Sequence, residues 1–154
     1  MTLIAVLTPS SQTNCENAKD PTMPLSIEDK MEIQELMARY ILASDVHGPE
    51  GMRDIFTEDR RFIIEAMQVD VKGIDNIVNW LTEISKTVPP KLYHTSSNFV
   101  IDGDGDVATM TCISQAIQIT DDGIKHFAFG NYDDTLVKTP TGWRLKDHKL
   151  NLLM

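Results

Sequence analysis

The sequence predicts an α+β fold in which a helical first half covers one face of a curled, antiparallel or mixed sheet. Three observations predict it. Apolar residues recur at helical spacing between Ser26 and His47 and again after Gly73. From Leu92 onward the pattern changes to period two, interrupted by Asp-Gly-Asp-Gly, Asp-Asp-Gly and Thr-Pro-Thr-Gly, all with hairpin chemistry. The resulting strands are long, and long strands in a small sheet twist and curl. Helices first and a meander after give an α+β order, with the helices on one side of the sheet. A curled sheet closed by helices is a cone around a cavity.

A chain of 154 residues suits one domain and one substantial core. Residues 1–25 read as a poorly anchored, flexible arm, punctuated by Pro21 and Pro24, and 26–154 as the folded domain. The apolar run Leu3–Leu7 could pair on a sheet edge or pack on a partner subunit. It is short and lacks a preceding basic stretch, which argues against a signal peptide.

Ser26 is a good N-cap for the first helix, with Asp29 three residues on as a variant of the capping box. Ile33, Leu36, Met37, Tyr40 and Ser44 then form one inward stripe, opposite Glu28, Glu32, Glu35 and Arg39. Gly48-Pro49 ends the helix at a polar tip carrying Asp45 and His47. Gly51–Phe56 reads as a short second helix with Met52, Ile55 and Phe56 inward, and Arg61–Met67 as a short strand. Gly73 opens a third helix, where Ile74, Ile77, Val78, Leu81 and Ile84 share a face with Trp80. Pro89-Pro90 stops it. Strands are expected at Leu92–Asp102, Val107–Thr120, Lys125–Lys138 and Gly142–Leu152. Strict alternation puts His94, Ser96 and Asn98 on one face of the first, and His126, Ala128, Gly130 and Tyr132 on one face of the third.

The formal net charge of −9 argues against nucleic acid and against an anionic membrane surface. No apolar run reaches the roughly 20 residues of a spanning helix. Cys15 and Cys112, one in the arm and one in a strand, read as free thiols in a reducing cytoplasm. The Asp-Gly-Asp-Gly-Asp stretch fails as a calcium loop, because Ile113 stands where the twelfth-position Glu would be. Nucleotide loops, a serine elbow and metal-ligand spacings are also missing, so no metal or cofactor is expected.

What is left is acid–base chemistry. Asp45 reads either as a cap of the Gly48-Pro49 turn or as a carboxylate that meets and orients a histidine in a pocket. His94 reads as a hydrogen-bonded strand histidine or as that partner. Tyr40 is a helical core aromatic with its hydroxyl at the rim. Phe56, Trp80, Met110 and His126 are the candidate substrate-binding lining; His47 and His148 read as surface residues. Of Asp133 and Asp134, one is expected in solvent and the other in an internal hydrogen bond.

Four stretches, in order, carry a family resemblance: EIQELMARYILASD with IFTEDRRF, then KGIDNIVNWL, then YHTSSNFVIDGDGDVATM, then GNYDDTLVKTPTGWRLKDHKL. Together they span about residues 26–152 and resemble the SnoaL-like branch of the nuclear transport factor 2-like superfamily. The resemblance implies a cone-shaped sheet closed by three helices, and frequent homodimers or higher oligomers. Members include scytalone dehydratase-like lyases, polyketide cyclases, isomerases, epoxide hydrolases and non-catalytic proteins, so fold alone does not decide function. In scytalone dehydratase-like members an Asp ending the first helix pairs with a His on the strand after the third. The matching positions are Asp45 and His94, with Tyr40 as an imperfect match to an assisting tyrosine. His126 lies near the place of a second histidine, but its local motif does not align. The expectation is a cofactor-independent dehydratase-type lyase for a small, largely apolar carbonyl compound. An isomerase or cyclase with the same dyad, or a binding and dimerisation module, is the alternative.

Overall fold

The computed structural model describes residues 23–153; Cys15 and Leu3–Leu7 lie outside them. The elements are α1 (Ile27–Leu42), a π-helical turn (Ala43–His47), a 3-10 turn (Pro49–Asp54), β1 (Phe56–Ile64), a 3-10 turn (Glu65–Met67), β2 (Val69–Lys72), α2 (Ile74–Ser85), β3 (Leu92–Asp104), β4 (Val107–Thr120), β5 (Gly123–Thr139) and β6 (Gly142–Leu152). One six-stranded sheet runs β2-β1-β6-β5-β4-β3, so β2 and β3 are its edges. The sheet is mixed: β1 lies parallel to β6, and every other pair is antiparallel. Helices before a long meander are the arrangement that the periodicities predict, but the second helix expected at Gly51–Phe56 is a 3-10 turn, and Phe56 instead opens β1. β1 begins earlier than Arg61, and its partner β2 is a short edge strand without an alternation of its own.

The capping box on α1 forms. Ser26 Oγ accepts from the Asp29 N–H, and the Asp29 carboxylate accepts from the Ser26 N–H. The same carboxylate also accepts from Trp143 Nε1 at 2.9 Å and Lys138 Nζ at 2.6 Å. One side chain thus starts the helix and pins it to the β5–β6 hairpin. Ile33, Leu36, Met37 and Tyr40 are buried against Met110, Cys112, Tyr132, Leu136, Trp143 and Leu145. A smaller cluster of Phe62, Ile64 and Ile77 lies under α2, with Trp80 packed on it.

The end of α1 departs from helical spacing. A regular helix would carry the Tyr40 stripe to the fourth residue on, Ser44. The π turn adds one residue per turn, so Asp45 takes that inward place. Ser44 is exposed, whereas the Asp45 side chain is only 6% exposed. Gly48, at φ +83°, then reverses the chain in a conformation that L side chains rarely adopt.

Strict alternation also fails, because four strand pairs carry a register shift. Each extra residue turns the following side chains to the other face and adds twist. On β3 the shift lies between Ser97 and Val100, at Asn98 with φ +58°. Asn98 is exposed and Phe99 packs on the core instead. On β5 the shift leaves Phe127 between Ala128, opposite Ala116, and His126, opposite Ile117. On β6 it leaves Lys146 between Leu145, opposite Leu136, and Asp147, opposite Thr135.

Candidate functional site

The π turn and the edge strand β3 bring Asp45 and His94 together. Asp45 Oδ2 accepts the backbone N–H of His94 at 2.6 Å, and Asp45 Oδ1 lies 2.6 Å from His94 Nδ1. Where the carboxylate accepts in this contact, Nδ1 is the donor and Nε2 is the ring nitrogen left for other partners. The backbone contact prevents the carboxylate from swinging away from the ring. The His94 side chain is 27% exposed, so solvent-borne groups can reach it. Ser96, on the same face of β3, lines an open groove with Gln34, Glu35, Ala38 and Phe99.

The remaining expected site residues divide. Tyr40 and Phe56 are buried and meet edge to face, with ring centres 5.9 Å apart. Trp80 packs on Phe62 at 5.2 Å, and Met110 is buried in the core opposite Asp134. None of these makes a hydrogen bond to Asp45 or His94; among the described residues the two side chains bond only to each other and to the His94 backbone. His126 is a correction. It is exposed, and the bulge at Phe127 is the reason: Ala128, Gly130 and Tyr132 face inward, while His126 is turned to the opposite side.

His148 is the second correction. It reads as a surface residue in a regular strand, yet it is fully buried. The bulge at Lys146 turns it inward, directly opposite Asp134 on β5. His148 Nδ1 lies 2.8 Å from Asp134 Oδ1, and both side chains are fully enclosed. Of Asp133 and Asp134, the second is the internal one, as expected for one of the two. A signal for this exists in the sequence. Trp143 and Leu145 hold odd positions, Leu150 and Leu152 even ones, and that change of phase within one strand announces a bulge.

A deep polar cluster surrounds this inner pair. The rings of Tyr40 and Tyr132 each lie 4.5 Å from that of His148. Burial pushes the Tyr40 hydroxyl well above its ordinary pKa and that of Tyr132 up to about 12, so both keep their protons and can donate. Burial raises the Asp134 carboxyl too, with His148 opposing. Arg60 is fully buried, its guanidinium carbon 3.4 Å from the centre of the Phe56 ring. Burial lowers it to about 9, which still leaves it charged at neutral pH. Burial also pushes the Cys112 thiol up to about 12, an inert core thiol.

The outer and inner pairs stand at different levels. His94 lies opposite Ala116 on β4, whereas Asp134 lies opposite Met110. That is roughly 20 Å along the strand at its usual rise. Among the described residues, no group of three or more His, Cys, Asp and Glu could hold a metal ion. No described helix is long and apolar enough to cross a membrane.

Comparison with known proteins agrees with this architecture. The SnoaL-like domain family matches residues 25–149. An uncharacterised protein of Mycobacterium tuberculosis strain H37Rv is 31% identical over 125 residues, covering 77% of this chain and 82% of its own. Among solved structures, a nuclear transport factor 2-like protein with a cystatin-like fold from Novosphingobium aromaticivorans superposes with a TM-score of 0.75. It is 24% identical, over 82% of this chain and 83% of that one. A second protein of that organism, provisionally named a scytalone dehydratase, has a TM-score of 0.71 and 25% identity, over 83% and 86% of the two chains. The cone of helices and curved mixed sheet, matched over nearly all its described length, places this chain in the SnoaL-like domain family on the nuclear transport factor 2-like, cystatin-like fold.

Proposed function

We propose that the chain is a cofactor-independent lyase of the dehydratase type, with Asp45 and His94 as its acid–base pair. The observation that carries this reading is the double hydrogen bond from one carboxylate to the ring and the backbone of His94. It leaves Nε2 as a positioned base on a side chain open to solvent. His94 Nε2 takes a proton from the carbon next to a substrate carbonyl. The electron pair moves into the enolate and then expels the β-hydroxyl, which leaves as water with the proton from His94. Asp45 holds the ring in one tautomer and balances the imidazolium between the two steps. A positioned acid–base group of this kind contributes typically about 10²–10⁴-fold. Tyr40, expected to polarise the carbonyl, packs against the inner His148 and takes no direct part in this step.

Domains of this family bind small molecules, and the substrate proposed here is a small, largely apolar, aromatic or polyketide-like carbonyl compound. Isomerisation or ring closure would use the same first proton transfer and is the alternative chemistry. A homodimer is the proposed assembly. Tyr93, Phe127 and Phe129 on the exposed side of the sheet, at 40%, 51% and 41% exposure, support it. Residues 26–154 are proposed as the functional unit, in the cytoplasm.

The test is turnover of a panel of β-hydroxyketones and phenolic ketones by the wild type, His94→Ala and Asp45→Asn. Loss of activity in both variants, with unchanged circular dichroism, is expected. Equal rates in all three proteins would remove the dyad from the chemistry.

A further inference from the structure

The chemistry proposed for Asp45 and His94 leaves the most unusual side chain in the fold without a task. Arg60 is fully buried, and its Nε, Nη1 and Nη2 have no hydrogen-bond partner among the described residues. Nor does a carboxylate stand among the charges acting on it; those are the Tyr40 hydroxyl and Arg53. The Phe56 face beneath the guanidinium satisfies the charge in part but accepts no N–H. A charged fork withdrawn from water is retained only against a partner that repays its desolvation. Among the described residues His148 Nε2 and Thr57 Oγ1 are also buried without a partner, and the His148 ring lies 5.9 Å from that of Phe56.

From this unpartnered fork we infer that Arg60 forms an anion site beside the Phe56 ring that takes the carboxylate of a small organic acid. The chemistry of the donors selects a carboxylate. A guanidinium offers a planar pair of N–H groups that matches two carboxylate oxygens. There is one such cation, and the Asp134 carboxyl stands nearby on His148, so a singly charged anion is balanced here and a doubly charged phosphate is not. The aromatic walls, Phe56, Tyr40 and Tyr132, suit an acid whose remainder is apolar or aromatic. The anion site stands at the level of the inner pair and does not rest on the acid–base reading above.

The experiment is nuclear magnetic resonance of the full chain carrying ¹⁵N-labelled arginine, read at the side-chain Nε–H groups. The Arg60 signal is identified as the one absent in Arg60→Lys. Sodium benzoate and sodium acetate are titrated against benzamide and acetamide at constant ionic strength. The expected result is a saturable shift of Arg60 alone, with at least one acid bound about tenfold or more tighter than its amide. The shift is expected to persist in His94→Ala, which has lost only the dyad. Absence of any saturable Arg60 shift, equal response to acid and amide, or equal shifts at Arg39, Arg53, Arg61 and Arg144 would overturn the proposal and leave Arg60 as a hydrated structural side chain. Since the readout is binding, a dead dyad with an intact Arg60 response would refute the lyase reading alone.

Discussion

The fold contains the same two side chains in contact twice, and the two contacts differ in nearly every physical respect. Asp45 and His94 join a helix tip to an edge strand, 49 positions apart in sequence. Asp134 and His148 are direct neighbours across β5 and β6. The outer histidine is 27% exposed and its carboxylate is also tied to a backbone N–H; the inner side chains are both fully enclosed. Pairing alone therefore does not mark a reactive centre. Access to solvent and a ring nitrogen free to meet a substrate do, and only the outer pair combines both. The inner pair has the surroundings of a structural element, wrapped by Tyr40, Phe62 and Tyr132.

Breaking each pair should separate these roles. The largest expected effect is on turnover: His94→Ala and Asp45→Asn lower kcat by about 10²–10⁴-fold, read by steady-state assay, with little change in the urea midpoint. Asp134→Ala should do the reverse. Removing one member of a buried pair costs roughly 3–5 kcal/mol of stability, read from urea unfolding. If Asp134→Ala instead keeps full stability and abolishes turnover, the assignment of the two pairs is inverted.

A pH series sharpens the contrast. Burial raises the Asp134 carboxyl, so folding favours its protonated form. Its contribution to stability is full below the ordinary carboxylate range and is lost as pH rises through the raised value. Asp29 has the opposite sign. Lys138, Trp143 and Ser26 hold its carboxyl far below the ordinary range, so its contribution is full above that range and is lost on acidification. Urea midpoints against pH should lose part of their acid decline in Asp29→Asn, and part of their decline on raising the pH in Asp134→Asn. A variant curve parallel to the wild type would remove that residue from the linkage. The smallest effect is expected for His126→Ala, within about twofold of wild-type turnover, because the side chain is a surface group. A loss beyond that would return His126 to the site.

The same contrast shows what could be read from the chain. The helices α1 and α2, the order of the meander and the spans of β4 and β6 follow from period and turn chemistry, because Gly, Pro and Asp-Gly impose boundaries locally; the helix expected at Gly51–Phe56 and the short edge strand β2 were misread. Asp45 and His94 were legible as a pair through the motifs around them. Alternation alone gave no partner for either. The faces of His126, Asn98 and His148 were not legible, since each lies beyond a bulge and one extra residue reverses every later side chain. Ser44 was misplaced for the helical version of that reason: the π turn handed its inward position to Asp45. Arg60 could not be found in the sequence, where Arg60 and Arg61 read alike; only the irregular pairing of β1 on β6 decides which is buried.

The central claim is that His94, held by Asp45, removes the proton next to a carbonyl. Solvent exchange tests it most directly. A β-hydroxyketone accepted by the wild type is incubated in deuterium oxide, and label at the carbon next to the carbonyl is followed by mass spectrometry. The account predicts enzyme-dependent incorporation by the wild type that falls by about 100-fold or more in Asp45→Asn and His94→Ala. Incorporation that proceeds in either variant at the wild-type rate would contradict it.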